Sequence, residues 1–341
     1  MPSDEYKNNA LSRFDPLLGL RWRKHYRQQF DDRKQSLMKY FSPLYPFLLG
    51  WALILMSTSY SALGLINGLI QLLFFGLVVC LPIWRTERMS YVDIGWPWGL
   101  VLLGVISFWL SDGYWLRSLT VSAVVVLVGL RMGFGALNMW RMGLLEKEFP
   151  RYQYQRIRWE QEGKTNTQLA LQVDALSQGL ANASFLALPV FVIASNQSPV
   201  LSVFELAGLL IWGLSFVMET VADMQKLAFL KDMKKQGKQR QVCNVGLWRY
   251  CRHPNYFAEW MVWNGLIVAA VPSWLVLRTT EGVLVWAFLG VALLFASRMM
   301  YVTLVYTTGA VPSEHFSAQK RPDYAAYQQR TNRFFPGPPR H

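Results

Sequence analysis

Apolar residues recur along this chain in eight long runs separated by shorter polar segments. The runs fall near residues 43–60, 62–84, 95–112, 114–137, 168–194, 199–222, 256–273 and 282–307. Each is close to the ~20 residues that a helix needs to cross the hydrocarbon of a bilayer. The pattern predicts an all-α polytopic membrane bundle of seven to eight transmembrane helices. The first two runs are parted only by "STSYS", so one long kinked element would reduce the count to seven. Residues 1–42 are polar and basic, with no apolar segment of the kind a secretory signal carries. Within them "LLGLRWRKHYRQQF" mixes apolar and cationic side chains, which suits a helix lying on the membrane surface as well as a partly disordered basic tail. The expected organisation is a basic leader over 1–42, an extra transmembrane helix over 43–61 and a membrane domain over 62–341. No internal repeat or low-complexity tract interrupts it.

Composition agrees with the pattern. Hydrophobic residues make up 52% of the 341 and charged residues only 16%, against ~25% in soluble domains. The net charge of +13 would suggest nucleic acid, but its distribution excludes that reading. With the N-terminus placed in the cytoplasm, the inner segments hold 30 of the 34 Lys and Arg residues. That is the positive-inside bias, so the excess charge reports topology and contact with anionic lipid. The expected location is a bacterial inner membrane with both termini cytoplasmic. Cys243, Cys251 and His253 fall short of the four ligands of a closed zinc site, and no metal is expected.

Ionisable residues at membrane depth are rare and usually functional. Here they are Asp93 in "YVDIGWPWG", Arg131, Asp174, Glu219 and Asp223 in "METVADMQKLAFLKD", Glu259 and Arg298. Apart from Asp174 and the superficial Glu205, these are expected in the cytoplasmic half. Glu219 and Asp223 stand four apart on one helix face and repel each other, with Lys226 the local candidate to neutralise them. In "WRYCRHPNYFAEW", Pro254 suits the first turn of a helix, and the residue before it is pushed toward an extended conformation. The helix N-terminus would then face Arg249, Arg252 and His253, a ready place for phosphate. Asn255 and Glu259, again four apart, would project into the bundle. "GFGALN" at Gly133 lacks the third glycine and the preceding strand of a dinucleotide fingerprint, and neither GxxxxGK[ST] nor HExxH occurs. A cofactor must therefore sit between transmembrane helices.

At "GLWRYCRHPNYFAEW" the chain resembles the steroid 5-alpha-reductase-like membrane family, in particular its uncharacterised bacterial branch. "YVDIGWPWG", "EFPRYQYQR", "ETVADMQKLAF" and "RPDYAAYQQRTNRFFP" extend the resemblance from about residue 62 to the end. The resemblance implies about seven membrane helices holding NADPH, and reduction of a carbonyl-conjugated C=C bond in a lipophilic substrate. It assigns cofactor contacts to Asp223, Lys226, Lys231, Arg252, Asn255, Arg298, Tyr306, Tyr324 and Tyr327, and the neighbouring Glu219, His253 and Tyr256 are expected in the same cofactor site. An acid and a tyrosine would polarise the substrate carbonyl; Asp93 is the first acid by position and Glu259 the second, and the tyrosine has no assigned position. Glu219 stands where steroid reductases usually carry Asn, and Ala258 where the branch often carries Gly. The rival reading is an S-adenosylmethionine-dependent membrane methyltransferase of the isoprenylcysteine carboxyl or phospholipid type, which also carries Arg-His-Pro-x-Tyr before a span. A transporter would be expected to show broken helices in two related halves, which this sequence lacks.

Overall fold

The computed structural model describes residues 37–238 and 240–340. The chain divides at Ser42, and the expected surface helix in the leader lies outside the described residues. The described residues hold helices and no strands. Among the described residues seven helices are long and apolar enough to cross a membrane, and the protein is an all-α polytopic membrane bundle. The first apolar run forms only a 12-residue helix, α1 (Tyr45–Met56), and is not one of the seven.

The spans are α2 (Ser61–Thr86, with a π turn at Gly76–Cys80), α3 (Val92–Leu110) and α4 (Trp115–Arg141). A short helix, α5 (Pro150–Gln161), links them to α6 (Thr167–Ala183) and α7 (Ala187–Ala194), which together make one span bent at Ser184. Then come α8 (Val203–Lys235), α9 (Pro254–Val276) and α10 (Val283–Val302). Two short helices, α11 (Ala310–Lys320) and α12 (Tyr324–Arg330), close the chain.

The α6–α7 span is the centre of the bundle, 83% buried, whereas only 28% of α8 is. Leu188, Val190 and Phe191 of α7 are wholly enclosed. On α8, by contrast, Val203, Leu206, Leu210, Leu214, Val217, Met224 and Leu227 form one exposed ridge at helical spacing. An apolar face left open in this way is expected where lipid replaces water as the surrounding medium. Tight packing therefore concentrates between helices. The α8–α9 contact is the most extensive of them, and Gly208 faces Gly265 across it. A Cβ on Gly265 would lie 2.6 Å from the Trp212 nitrogen, so only glycine lets the backbones approach this closely.

Three amide side chains inside the bundle bond across helices. Asn67 Nδ2 donates to the Asn182 carbonyl at 3.1 Å, Gln71 Nε2 to the Gly99 carbonyl at 2.8 Å, and Asn182 Nδ2 to the Trp96 carbonyl at 3.2 Å. These bonds tie α2 and α6 to α3 beside its internal Pro97. At one end of the bundle Arg117, 2% exposed, is bidentate to Glu205, which also completes the capping box of α8 with Ser202. At the same end Glu281 accepts from Ser57 Oγ at 2.6 Å and from the Ser59 and Thr58 amides at 2.8 and 3.1 Å. Burial acts to raise the Glu281 pKa, but these hydrogen bonds outweigh it and hold the carboxyl below its ordinary value. Among the described residues, the remaining ion pairs lie at the other end.

Candidate functional site

Pro254 begins α9, and His253 before it is non-helical at φ −137°, as the sequence predicts. The cations of that corner do a different job from the one expected. Arg252 Nε and Nη2 donate to Glu314 of α11 at 2.7 and 3.2 Å, and its Nη1 donates to the carbonyls of Gln328 and Thr331. His253 Nε2 lies 3.2 Å from the same carboxylate. Gln328 Nε2 and Arg333 Nε reach it at 3.1 Å each. Arg252 and Glu314 are 7% and 5% exposed, so this is a buried cluster that pins the tail to the His-Pro corner. Arg252 is already neutralised, and Arg249 is exposed to solvent. Arg252 therefore does not stand free for phosphate. Burial pushes the His253 pKa below its ordinary value, against the opposing pull of Glu314.

A second cluster occupies the adjoining face of α8. Arg131 of α4 pairs with Glu219 and, at 3.0 Å, with Asp223. The local candidate, Lys226, instead places its ammonium 4.3 Å from the centre of the Trp248 ring. Asn255 Nδ2 donates to Asp223 at 3.1 Å, while its buried Oδ1 has no hydrogen-bond partner among the described residues. Glu259, one turn along α9, makes no ion pair among the described residues and lies within electrostatic reach of Glu219, Arg131, Asp223 and Arg151. Asn255 and Glu259 thus share the inward face that their spacing predicts.

A third cluster joins α3 to α5. Arg151 pairs with Asp93, and Tyr152 Oη donates to Asp93 at 3.3 Å. The Arg151 guanidinium packs on the Phe149 and Tyr152 rings at 5.1 and 5.0 Å. Burial, with the Asp93 charge, raises the Tyr152 pKa well above its ordinary value, so the phenol stays protonated. Asp174 belongs to this end as well, facing Lys164 and Arg158, contrary to the expectation that set it apart. A span that starts at Thr167 keeps Asp174 within two turns of its origin.

Beside these clusters lies a cavity of ≈ 220 Å³. Seven sequence-assigned residues line it: Lys226, Arg252, His253, Asn255, Tyr256, Tyr324 and Tyr327. Ser313, Ser317 and Arg321 complete its polar wall, and no carboxylate lines it. Arg321 donates to Ser317 Oγ at 2.8 Å and to the Gln241 carbonyl at 3.2 Å. Burial raises the Tyr324 pKa to about 12, so its hydroxyl remains a donor. The Tyr327 hydroxyl is committed to the Trp248 carbonyl. Such a wall suits an anion with hydroxyl or amide groups beside it.

The other assigned residues lie elsewhere. Glu219 and Asp223 form the Arg131 cluster next to the cavity, and Lys231 is exposed on α8. Arg298 is exposed and Tyr306 is half-exposed beside Tyr301, away from the cavity lining. Arg131 was visible in the sequence as an ionisable residue at depth, but its pairing with Glu219 and Asp223 was not. Arg151, Tyr152 and Arg321 lie within the quoted stretches "EFPRYQYQR" and "RPDYAAYQQRTNRFFP" but had no assigned role, and Glu314 lies outside them; the Asp93 and Arg252 partners of Arg151 and Glu314 are 58 and 62 residues away.

No curated protein and no solved structure matches the chain. One family model does, over residues 82–331, which takes in α9, the Arg131 and Asp93 clusters and all but the end of the tail. That stretch is well over half of the 341 residues, and the chain belongs to the family described as "Protein of unknown function (DUF1295)".

Proposed function

We propose that this protein is an NADPH-dependent membrane oxidoreductase of the steroid 5-alpha-reductase-like type. Its reaction is reduction of a carbonyl-conjugated C=C bond in a lipophilic substrate. The observation that carries the reading is a cation-lined, carboxylate-free cavity beside a polar layer sunk into the end of an apolar bundle. NADPH is polyanionic, and the donor set of Lys226, Arg321, the serines and Tyr324 fits its phosphates. S-adenosylmethionine carries a sulfonium cation that gains nothing from that wall, which favours the reductase over the methyltransferase. At ≈ 220 Å³ the cavity is smaller than the ~300–1,000 Å³ of whole small-molecule sites and receives one part of the dinucleotide.

When bound, the nicotinamide supplies the hydride, which goes to the β-carbon of the enone. The protein's own groups do the rest. Lys226 and Arg321 hold phosphate, and the unpartnered Asn255 Oδ1 accepts from an amide or ribose hydroxyl. Tyr152, kept protonated by burial, exchanges its 3.3 Å bond to Asp93 for one to the substrate carbonyl and stabilises the developing oxyanion. Asp93 is held by Arg151 and orients Tyr152, taking the role of acceptor in place of the expected proton donor. Glu259, the carboxyl without an ion pair, hands a proton to the α-carbon. The Lys and Arg bias supports a cytoplasmic position for this end of the bundle, and the proposed location is a bacterial inner membrane with lipid around α8.

The test is thermal unfolding of detergent-purified protein with NADPH or S-adenosylmethionine, in wild type, Lys226→Ala and Asn255→Ala. NADPH at about 100 times its Kd should stabilise the wild type by about 2.7 kcal/mol, and both substitutions should weaken the effect. Stabilisation by S-adenosylmethionine alone, or by neither compound, refutes the reading.

A further inference from the structure

The exposed apolar ridge of α8 leads into a second cavity. Leu227 is 66% exposed and Leu230 44%, and Lys234 follows them at the same three-to-four-residue spacing. At Leu230 the ridge becomes the wall of a cavity of ≈ 260 Å³, whose other apolar residues are Phe229 and Met233. Its remaining wall is cationic, made by Lys234, Lys238, Arg240 and Arg321. Arg321 also lines the cavity at Lys226, and its bonds to Ser317 and the Gln241 carbonyl hold it as a partition between the two. Lys234, Lys238 and Arg240 make no ion pair among the described residues. The last acid of α8, Asp232, accepts from Gln236 Nε2 at 2.9 Å and does not line the cavity. Cations gathered without a counter-charge call for an anion from outside the chain.

Depth decides which anion. The ridge from Val203 to Leu227 is the part of α8 that lipid tails cover, about 36 Å along the axis. Leu230 and Met233 stand about 4.5 and 9 Å beyond its end. Each headgroup layer extends ~5–8 Å outside the hydrocarbon, so the cavity opens at the level of lipid phosphates. A soluble anion would use the cations and leave Leu227 and Leu230 bare. A glycerophospholipid uses both surfaces, with an acyl chain along those leucines and its phosphate among the cations. A choline headgroup would bring a fixed positive charge to a cationic wall, whereas a glycerol headgroup brings none.

We propose that this cavity is a binding site for one anionic glycerophospholipid of the leaflet at that end of the bundle. Lys234, Lys238 and Arg240 hold its phosphodiester, and Leu230 and Leu227 guide its acyl chain onto the ridge. The proposal goes beyond the reductase reading and does not depend on it.

The test is a native mass spectrometry titration of detergent-purified full-length protein with dioleoylphosphatidylglycerol, dioleoylphosphatidylcholine and sn-glycerol 3-phosphate. Three proteins are compared: wild type, Lys238→Ala/Arg240→Ala, and the control Arg141→Ala/Lys147→Ala, whose cations are exposed at the same end of the bundle. Lys238 and Arg240 are exposed as well, and an unchanged unfolding midpoint verifies that each variant folds. Wild type should hold one phosphatidylglycerol more tightly than phosphatidylcholine. Each Lys or Arg near an anionic headgroup is worth about fivefold in affinity, so the cavity variant should lose roughly tenfold or more while the control stays within about twofold. Equal affinity for the two lipids, or equal losses in the two variants, would reduce the effect to diffuse surface charge and overturn the proposal. Binding of glycerol phosphate as tight as that of phosphatidylglycerol would overturn it too, since the ridge would then contribute nothing. A cavity variant that keeps its lipid affinity but loses binding of NADPH would assign these cations to a soluble ligand, and the proposal would fall.

Discussion

Replacing Glu314 by Gln tests whether the tail is clasped to the His-Pro corner by charge. The carboxylate takes hydrogen bonds from Arg252, His253, Gln328 and Arg333. Arg252 is 7% exposed and cannot recover water when its counter-charge is removed. Breaking a buried pair by removing one partner costs about 3–5 kcal/mol, and with both partners under 10% exposed no solvent discount applies. Arg333, by contrast, is 43% exposed, so its bond to the same carboxylate is worth about 0–1 kcal/mol. Denaturant unfolding in mixed micelles should therefore show Glu314→Gln destabilised by about 3–5 kcal/mol and Arg333→Ala by less than 1. A double change, Arg252→Met with Glu314→Leu, should recover much of the loss, because it leaves no unpaired charge in the interior. Near-equal effects of Glu314→Gln and Arg333→Ala would refute the reasoning, as would a double variant worse than the sum of its parts.

Three further outcomes follow from the same structure. Burial lowers the folded-state pKa of His253 below 6.5, so the unfolded chain takes up this proton first; stability is complete above about pH 6.5 and declines as pH falls below it, and His253→Gln should flatten that slope in a pH series of unfolding midpoints. Burial raises the Cys251 thiol to about 11, and its Sγ donates to the Phe334 carbonyl at 3.0 Å; mass spectrometry after maleimide treatment at neutral pH should find Cys251 modified only in unfolded protein. Gly265→Val should cost about 3 kcal/mol or more by forcing α8 and α9 apart, while Gly213→Ala on the open side of α8 should be neutral; equal effects in thermal unfolding would contradict the close approach.

The apolar runs made the spans legible because lipid demands length and little else. Residues 43–60 were the exception: a run of sufficient length folds as a 12-residue helix, and hydropathy cannot report where a helix stops. The start of α9 at Pro254 was legible because proline acts on its immediate neighbours. The inward pair Asn255 and Glu259 was legible for the same reason, as helical spacing is local. Pairings were not. Glu219 and Asp223 pointed by proximity to Lys226, whereas their partner Arg131 lies 92 residues before Asp223. Arg252 and His253 looked like free cations because Glu314, 62 residues beyond Arg252, could not be connected to them from spacing alone. Asp174 needed only its distance from the start of its own span, and the topology already contained that information.

The exposed ridge of α8 runs from Val203 to Leu227, which at 1.5 Å per residue is about 36 Å. A bilayer of ~30 Å can cover that length only if the helix leans by roughly 30° or the membrane thickens locally. Because the same rod carries Glu219, Asp223 and Lys226, its lean sets where those side chains meet the α9 face. Acyl-chain length in the host membrane thereby becomes a mechanical input to this protein, transmitted without any ligand.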